Sequence, residues 1–334
     1  MFRPLYRYTH ELVESLMRIE AAKAAIEVLP LPRGASNELR EQARRAQISG
    51  AQQLDPEISG GYGATLASLA AKATSYPDED VLFGLHEALT GTASDDYRAT
   101  SSLVYNQART DLIYVPPEAP EIPGLMDDLL NWLEESWDEL PAIVVAGIYQ
   151  QELIMIQPFG TNNGSLARLA GELVLLRKGY GFGGFVALNP ELVKRLDWYE
   201  QATRSAHSGV YSNQQDFTSW LEFYAEVVDT AVGRARDDVV ARFEAANRPA
   251  IDGTPEAPVV LRDRHLKALD FMRQNGAIRS GEYQKLTGIV PDTARRDFDE
   301  LMDKGLIAVR GVGRGTHYVL TQRGSEEAEK RSGS

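Results

Sequence analysis

Residues 156–168 read IQPFGTNNGSLAR, and this stretch decides how the chain is interpreted. A Pro-Phe pair precedes a loop of small residues, and an apolar run with helical spacing follows that loop. Glycine adopts positive φ freely and asparagine tolerates it, so successive N–H groups before a helix can point at one anion. The candidate anion or nucleotide ligands are Gly160, Thr161, Asn162, Asn163, Gly164, Ser165 and Arg168. The alternative is that the glycines only permit a tight turn between two helices.

The composition excludes several classes of protein. The chain has 334 residues, 43% hydrophobic and 25% charged, which is ordinary for a globular protein of two domains. It contains no cysteine, which excludes disulfides, thiolate nucleophiles and cysteine-ligated metals. The N-terminus lacks the apolar core of a secretory signal, and the apolar stretch at 142–149 is too short to cross a bilayer. We therefore expect a cytoplasmic protein without a membrane segment.

The charge is unevenly distributed along the chain. The net charge is −13, yet residues 257–334 carry +3 and the remainder carries −16. An acidic surface repels nucleic acid, so the chain as a whole is not expected to bind it nonspecifically. The asymmetry predicts two bodies with different partners.

Most of the first 250 residues show helical periodicity. The helices are expected at 11–29, at 38–48 with Ser36 or Asn37 as the N-cap, at 63–74, 79–90, 123–138, 141–156 and 165–179, with two more up to about 245. Residues 99–117 contain two β-rich runs around a polar Asn-Gln-Ala-Arg turn, which predicts a hairpin. A stretch rich in proline, glycine and alanine at 246–258 is typical of a linker.

Residues 259–323 have a different pattern, with three short amphipathic segments followed by two short strands around a glycine-rich turn. This order predicts a winged helix-turn-helix domain, with Asp292 as the N-cap of its third helix and a disordered tail at 324–334. The third helix is the expected recognition helix. The candidate DNA contacts are Thr293, Arg295 and Arg296 on that helix, Gln284 and Lys285 on the preceding one, and Arg314 at the tip of the wing. Such domains also serve as protein-interaction or dimerisation modules, and this alternative stays open.

The central loop resembles the signature of the Fic (Fido) family, His-Pro-Phe-x-(Asp/Glu)-Gly-Asn-Gly-Arg-x-x-Arg. Pro158, Phe159, Asn163, Gly164 and Arg168 match it, and the stretches LHEALTG (85–91), DDYRAT (95–100) and 114–135 are also similar to family segments. The resemblance implies a mainly α fold: an N-terminal helical region at 1–75, a Fido domain at 76–245 with a small β-hairpin flap, and then the winged helix. In the family, protein targets add a strand to the flap, so the hairpin at 99–114 is a candidate docking surface for a protein partner.

The departures from the signature concern chemistry. The family's histidine removes a proton from a target hydroxyl before it attacks a nucleotide; Gln157 stands at that position, and an amide cannot take the proton. Thr161 replaces the acidic residue that holds Mg²⁺, Asn162 replaces the first glycine and Ser165 replaces the first arginine. The stretch RAQISGA (45–51) resembles the family's inhibitory helix, but Ser49 stands where the inhibitory glutamate is expected. The resemblance therefore predicts a pseudoenzyme that lacks both its catalytic groups and its inhibitor.

Three functions remain as hypotheses. The first is a regulatory protein with a DNA-binding winged helix. It would bind a nucleotide, another phosphate-bearing ligand or a partner, and it would not require Mg²⁺. A homodimer is left open. The second is an enzyme of altered chemistry, for which Glu152 is a candidate base, although a helix-surface ion pair is the ordinary expectation for it. The third is AMP transfer to a protein hydroxyl, which the missing groups disfavour most.

Other residues have ordinary structural expectations. Arg168 either binds a ligand or pairs with Glu172 one turn along the helix. His86 and the four tryptophans, Trp132, Trp137, Trp198 and Trp220, are expected to pack in the core. The five histidines show no metal-ligand spacing, so no metal site is predicted.

Overall fold

The computed structural model describes residues 1–55, 61–72, 77–93, 95–105, 110–205, 209–212, 214–247, 261–311 and 313–332. These residues are mainly helical, as expected. The helices are α1 (His10–Val28), α2 (Arg33–Leu54), α3 (Gly61–Lys72), α4 (Glu79–Thr90), α5 (Ile122–Ser136), α6 (Ala142–Ile156), α7 (Asn163–Arg177), α8 (Asn189–Lys194), α9 (Leu196–Ser205), α10 (Thr218–Asn247), α11 (Asp263–Asn275), α12 (Ser280–Thr287), α13 (Pro291–Asp303) and α14 (Gln322–Ser332). The strands are β1 (Val104–Tyr105), β2 (Leu112–Tyr114), β3 (Ile307–Arg310) and β4 (His317–Leu320). None of the helices in these ranges combines the length and the apolar composition that crossing a membrane needs.

The chain divides into two compact units. The first comprises Met1–Lys23 and Gln42–Arg234, and the second comprises Ala24–Glu41 and Ala235–Ser334. The predicted linker at 246–258 lies outside the described residues, apart from its first two positions, which end α10.

Helix α6 is the centre of the first unit because it has no polar face. Every residue from Ala142 to Ile156 is buried. Gly147 allows α10 to pack closely against α6, since a Cβ there would lie 2.9 Å from the Tyr224 ring. The Trp220 indole donates a hydrogen bond to the Gly147 carbonyl at 2.8 Å. This packing holds the last turn of α6, and hence the start of the central loop, in a rigid frame.

The predicted hairpin is present but short. β1 and β2 pair antiparallel, with Val104 opposite Tyr114 and Tyr105 opposite Leu112. The predicted Asn-Gln-Ala-Arg turn, residues 106–109, lies outside the described residues. Leu103, Tyr105 and Leu112 are all exposed, so the strands pack through only one face.

In the second unit, three helices precede a two-stranded antiparallel pair. Leu269 of α11, Tyr283 of α12, Phe298 of α13 and Ile307 of β3 meet in one buried cluster. Ile278, between α11 and α12, forms a bridge with Tyr318 on β4. The element order is the one that the sequence predicts.

The start of α2, the N-cap of α13 and the C-terminal tail differ from their predictions. α2 begins at Arg33, before the proposed N-caps, because the carbonyl of Pro32 already accepts the N–H of Ser36 at 3.0 Å. α13 is capped by Val290 rather than Asp292, since Pro291 has the fixed φ that suits the first helical position.

The third difference is the tail that was predicted to be disordered, which contains α14. The Thr321 hydroxyl accepts the N–H of Gly324 at 3.0 Å at the start of this helix, and Ala328 is buried on it.

Candidate functional site

The central loop joins α6 to α7 through two left-handed residues. Gln157 ends α6 with φ 51°, and Asn162 precedes α7 with φ 59°. The Asn163 side chain braces the loop from inside: its Oδ1 accepts the Phe159 N–H at 2.9 Å and its Nδ2 donates to the Phe159 carbonyl at 2.7 Å. Both ends of this amide are therefore engaged within the loop.

Gln157, which the sequence resemblance aligns with the family's base, is also bonded within the protein. Its Nε2 donates to the Ile154 carbonyl at 2.8 Å, so the side chain folds back over the last turn of α6. A neutral amide held in this way is a hydrogen-bond donor and cannot act as a proton acceptor.

Arg98 fixes the end of α6 to the base of the hairpin. Its guanidinium donates to the carbonyls of Gln157 at 2.7 Å, Thr100 at 2.6 Å and Pro117 at 2.6 Å, and it is buried. A cation at a helix C-terminus satisfies carbonyls that have no partner within the helix. The segments before and after the hairpin are thereby tied to the loop.

The Arg168 guanidinium is paired with Asp55, a residue that no sequence motif indicates. Asp55 Oδ2 accepts hydrogen bonds from Arg168 Nη2 and from Ser165 Oγ, each at 2.6 Å. Burial works to raise the pKa of the Asp55 carboxyl, but the charge of Arg168 and the hydrogen bond from Ser165 outweigh it and lower that pKa. Glu172, the expected partner of Arg168, instead accepts a hydrogen bond from Gln47.

The position of this carboxylate explains why the sequence missed it. The resemblance placed Ser49 at the inhibitory position, and Ser49 Oγ accepts a hydrogen bond from Gln53 Nε2 at 3.4 Å. Asp55 lies six residues later, directly after the last residue of α2. The only local signal is the Asp-Pro pair, which marks a helix end and says nothing about Arg168.

The loop keeps some features of an anion site. Among the described residues, no acceptor engages the N–H groups of Gly164 and Ser165 in the first turn of α7. A Cβ on Gly164 would lie 3.5 Å from the Asp55 carboxylate, which shows how close this acid comes to the helix N-terminus. Gly160 and Thr161 are exposed, whereas Arg168 is buried. The Asp55 carboxylate therefore already lies at the N-terminus of α7, where the helix dipole favours negative charge.

His86 supports the loop from the side of α4. Its ring stacks on Phe159 with centroids 4.1 Å apart, and its Nε2 lies 3.3 Å from the Thr161 carbonyl. Burial lowers the pKa of His86, which favours the neutral ring as a donor to that carbonyl. The buried histidine therefore positions the loop backbone.

The Mg²⁺ that the family resemblance implies does not suit the donors at the loop. Thr161 offers a hydroxyl that accepts from Asn162 Nδ2 at 3.2 Å, and the nearby Asp55 carboxylate is engaged by Arg168. Mg²⁺ is held mainly by carboxylates that are free to coordinate it.

Glu152 is not the surface residue that the sequence predicts. It is 1% exposed, its Oε1 accepts the Tyr211 hydroxyl at 2.7 Å, and burial raises the pKa of its carboxyl to about 8. It lies in the core beside Tyr211 and has no hydrogen bond to any loop residue among the described ones.

The candidate DNA contacts lie on two successive helices of the second unit. Arg295, Arg296 and Lys285 are exposed, Thr293 and Gln284 are half-buried, and the Gln284 amide donates to Ser280 Oγ at 3.1 Å. The side chain of Arg314 lies outside the described part of the chain.

One acid of α13 is turned inward. Asp297 is buried, and it accepts from Arg264 at 2.5 and 2.8 Å and from the Tyr283 hydroxyl at 2.9 Å. Its negative charge is therefore compensated inside the unit. It lowers the positive potential at the surface of α13 less than the sequence implies.

Comparisons with known proteins concern residues 76–175 and the fold. The sequence profile of the Fic/DOC family matches residues 76–175. The fold is similar to the crystal structure of a Fic family protein from Desulfovibrio desulfuricans G20, with a TM-score of 0.59 and 20% identity over 96% of this chain and 99% of that one. It is also similar to a Fic domain containing signaling protein from Bacteroides thetaiotaomicron VPI-5482, with a TM-score of 0.52 and 14% identity over 68% of this chain and 98% of that one. At these identities the structural likeness concerns the fold alone, and the profile match identifies residues 76–175 as similar to the Fic/DOC family.

Proposed function

We propose that this chain is a regulatory member of the Fic/DOC family that binds a phosphate-bearing ligand at the central loop and does not transfer AMP. The observation that carries the proposal is the state of Gln157. The side chain at the base position is an amide bonded to the Ile154 carbonyl, so nothing at that position removes a proton from an attacking hydroxyl.

The Asp55 carboxylate supports the choice of ligand. It is held by Arg168 and Ser165 at the N-terminus of α7, where a phosphate oxygen would find the same donors. Among the described residues, the N–H groups of Gly164 and Ser165 add donors that a carboxylate leaves unused. A phosphate group would therefore displace Asp55 and gain hydrogen bonds that Asp55 does not make.

Calorimetric titration of the protein with ATP, AMP and inorganic phosphate, each with and without Mg²⁺, tests the binding step. We expect binding that does not require Mg²⁺ and that tightens in Asp55→Asn, because the internal competitor is weakened. Asp238→Asn, which removes the same charge from an exposed position on α10, is the matched control and should bind like the parent protein.

Incubation with labelled ATP tests the chemistry. We expect no adenylate to become attached to the protein or to added polypeptides, in the parent protein or in Gln157→Ala. Mg²⁺-dependent labelling by the parent chain would refute the proposal.

We further propose that the elements α11 to β4 of the second unit form a winged helix that binds DNA through α13. The order of three helices and a strand pair, the local charge of +3 and the exposed Arg295 and Arg296 support this proposal. The inward position of Asp297 leaves the first half of α13 more positive than its sequence suggests.

A further inference from the structure

A cavity in the first unit shares no lining residue with the central loop. It lies between α1, α9 and α10 and has a volume of about 470 Å³. Pockets that hold small molecules range from about 300 to 1,000 Å³. The cavity is therefore large enough for a ligand, and neither the family's chemistry nor the proposed function uses it.

The wall formed by α9 carries an exposed tryptophan. Trp198 is 67% exposed, whereas Trp132 is 7% exposed and Trp220 is fully buried, so the prediction of core packing is wrong for Trp198. The ring of Phe223 on α10, only 6% exposed, also lines the cavity. A large aromatic face left in solvent, in the same cavity as a second ring, offers a platform for an aliphatic chain or for a cation.

The other lining groups make the cavity strongly acidic. Glu11 and Glu14 of α1 and Glu222 and Glu226 of α10 face it, and Arg18 is the one cation among the described lining residues. The Arg18 guanidinium is already engaged, by Asp229 at 2.6 Å and by Glu14 at 3.3 Å.

Two of these carboxylates lack a partner. No residue in the described ranges pairs with Glu11 or Glu222. Negative charge is therefore held around an aromatic surface without compensation from within the protein.

We propose that this cavity binds an aliphatic polyamine. Within the described part of the chain, these carboxylates do not converge on one point as metal ligands do, which disfavours a single inorganic cation. A polyamine has several ammonium groups separated by methylene chains. Its ammonium groups suit carboxylates on opposite helices, and its methylenes and one ammonium suit the indole of Trp198.

Isothermal titration of the full chain with spermidine tests the proposal. We expect saturable binding that weakens about tenfold in the double variant Glu11→Gln/Glu222→Gln. Trp198→Ala should weaken it by about three- to thirtyfold, the range that one cation–π contact spans. The control Glu135→Gln/Glu139→Gln removes the same charge from exposed positions outside the cavity and should leave the dissociation constant unchanged. Circular dichroism establishes that each variant is folded.

Three results would overturn the proposal. The first is the absence of saturable binding at millimolar spermidine. The second is equal weakening in the control variant, which would show general attraction to an acidic protein. The third is unchanged binding in Trp198→Ala, which would remove the cavity as the site. Because the loop is not involved, Asp55→Asn should bind spermidine like the parent protein, whether or not the loop binds phosphate.

Discussion

At the scale of single residues, the pair of Arg168 and Asp55 dominates the candidate site. Arg168 is almost fully buried, and a buried guanidinium without a counter-ion is strongly destabilising. Asp55 supplies that counter-ion but is about one third exposed, so a soluble anion can reach the same place. The pair therefore stabilises the fold and competes with the proposed ligand.

Replacing Asp55 by Asn should lower the free energy of unfolding at pH 7 by about 1–3 kcal/mol, because Arg168 loses its charged partner. The folded-state pKa of Asp55 is lowered, so its stabilising effect is present above its unfolded pKa of about 4 and is lost as the pH falls through the folded value. In Asp55→Asn, the free energy of unfolding should therefore no longer show the decrease at low pH that protonation of Asp55 causes. Urea unfolding at several pH values measures both effects.

Inorganic phosphate should restore part of the stability in Asp55→Asn, and more than it stabilises the parent protein. Asp238→Asn is the control for the loss of one negative charge. Equal stabilisation of both proteins by phosphate would argue against the loop as its site.

The buried acid Glu152 predicts a second pH dependence, of opposite sign. Its pKa rises from 4.5 to about 8 on folding, so between these values the unfolded chain releases a proton that the folded chain keeps. Stability should therefore fall as the pH rises from about 5 to 8, by a total on the order of 3 kcal/mol. Glu152→Gln retains an acceptor for Tyr211 and should flatten this fall in a series of thermal melts.

The slope of stability against pH is the quantity to compare, because the buried amide introduced by Glu152→Gln would lower stability equally at every pH. Glu172, whose pKa burial also raises, should leave a residual slope in the variant. Glu135→Gln, at an exposed position, should not change the slope. Parallel curves for Glu152→Gln and the parent protein would show that Glu152 is ionised in the folded state.

At the scale of elements, α2 carries Asp55 to the loop, and its fit against α8 depends on Gly50. A Cβ at Gly50 would lie 2.7 Å from Asn189 Cβ and 2.9 Å from Pro190 N, much closer than ordinary contacts. The neighbouring Gln47 also bonds to Asn189, which accounts for the close approach.

Gly50→Ala should therefore destabilise the protein by about 1–3 kcal/mol, because backbone atoms have to move. Gly233→Ala on α10 is the matched control, since nothing lies within 4 Å of its added methyl group, and it should stabilise by about 0.5–1 kcal/mol. Denaturant unfolding distinguishes the opposite signs. A stable Gly50→Ala protein would mean that α2 and α8 pack less closely than described.

At the scale of the whole molecule, the charge distribution restricts where DNA can bind. The chain carries −13 as a whole, whereas residues 257–334 carry +3. Binding of DNA should therefore depend steeply on salt and on a few cations of α13.

Selection from a pool of random duplexes, followed by titration at several salt concentrations, tests the DNA proposal. Arg295→Ala/Arg296→Ala should weaken binding of the selected duplex and lower the salt slope by about two. Lys267→Ala/Arg273→Ala removes the same charge from α11 and should keep the affinity closer to that of the parent protein. If no duplex is selected, the protein-interaction alternative for this domain is favoured.

The sequence by itself determined the resemblance to the family, the helices around the loop and the residue types that form the loop. These are local properties: helical periodicity, glycines at the loop and the residue types at fixed spacing. Their outcome does not depend on distant parts of the chain.

Only the tertiary structure decided which groups meet. It brought Asp55 to Arg168 across 113 positions, turned Asp297 inward, buried Glu152 beside Tyr211 and left Trp198 in solvent beside four glutamates. The physical reason is that pairing and burial are set by helix packing, which places residues far apart in sequence within hydrogen-bond distance and leaves no trace in local patterns.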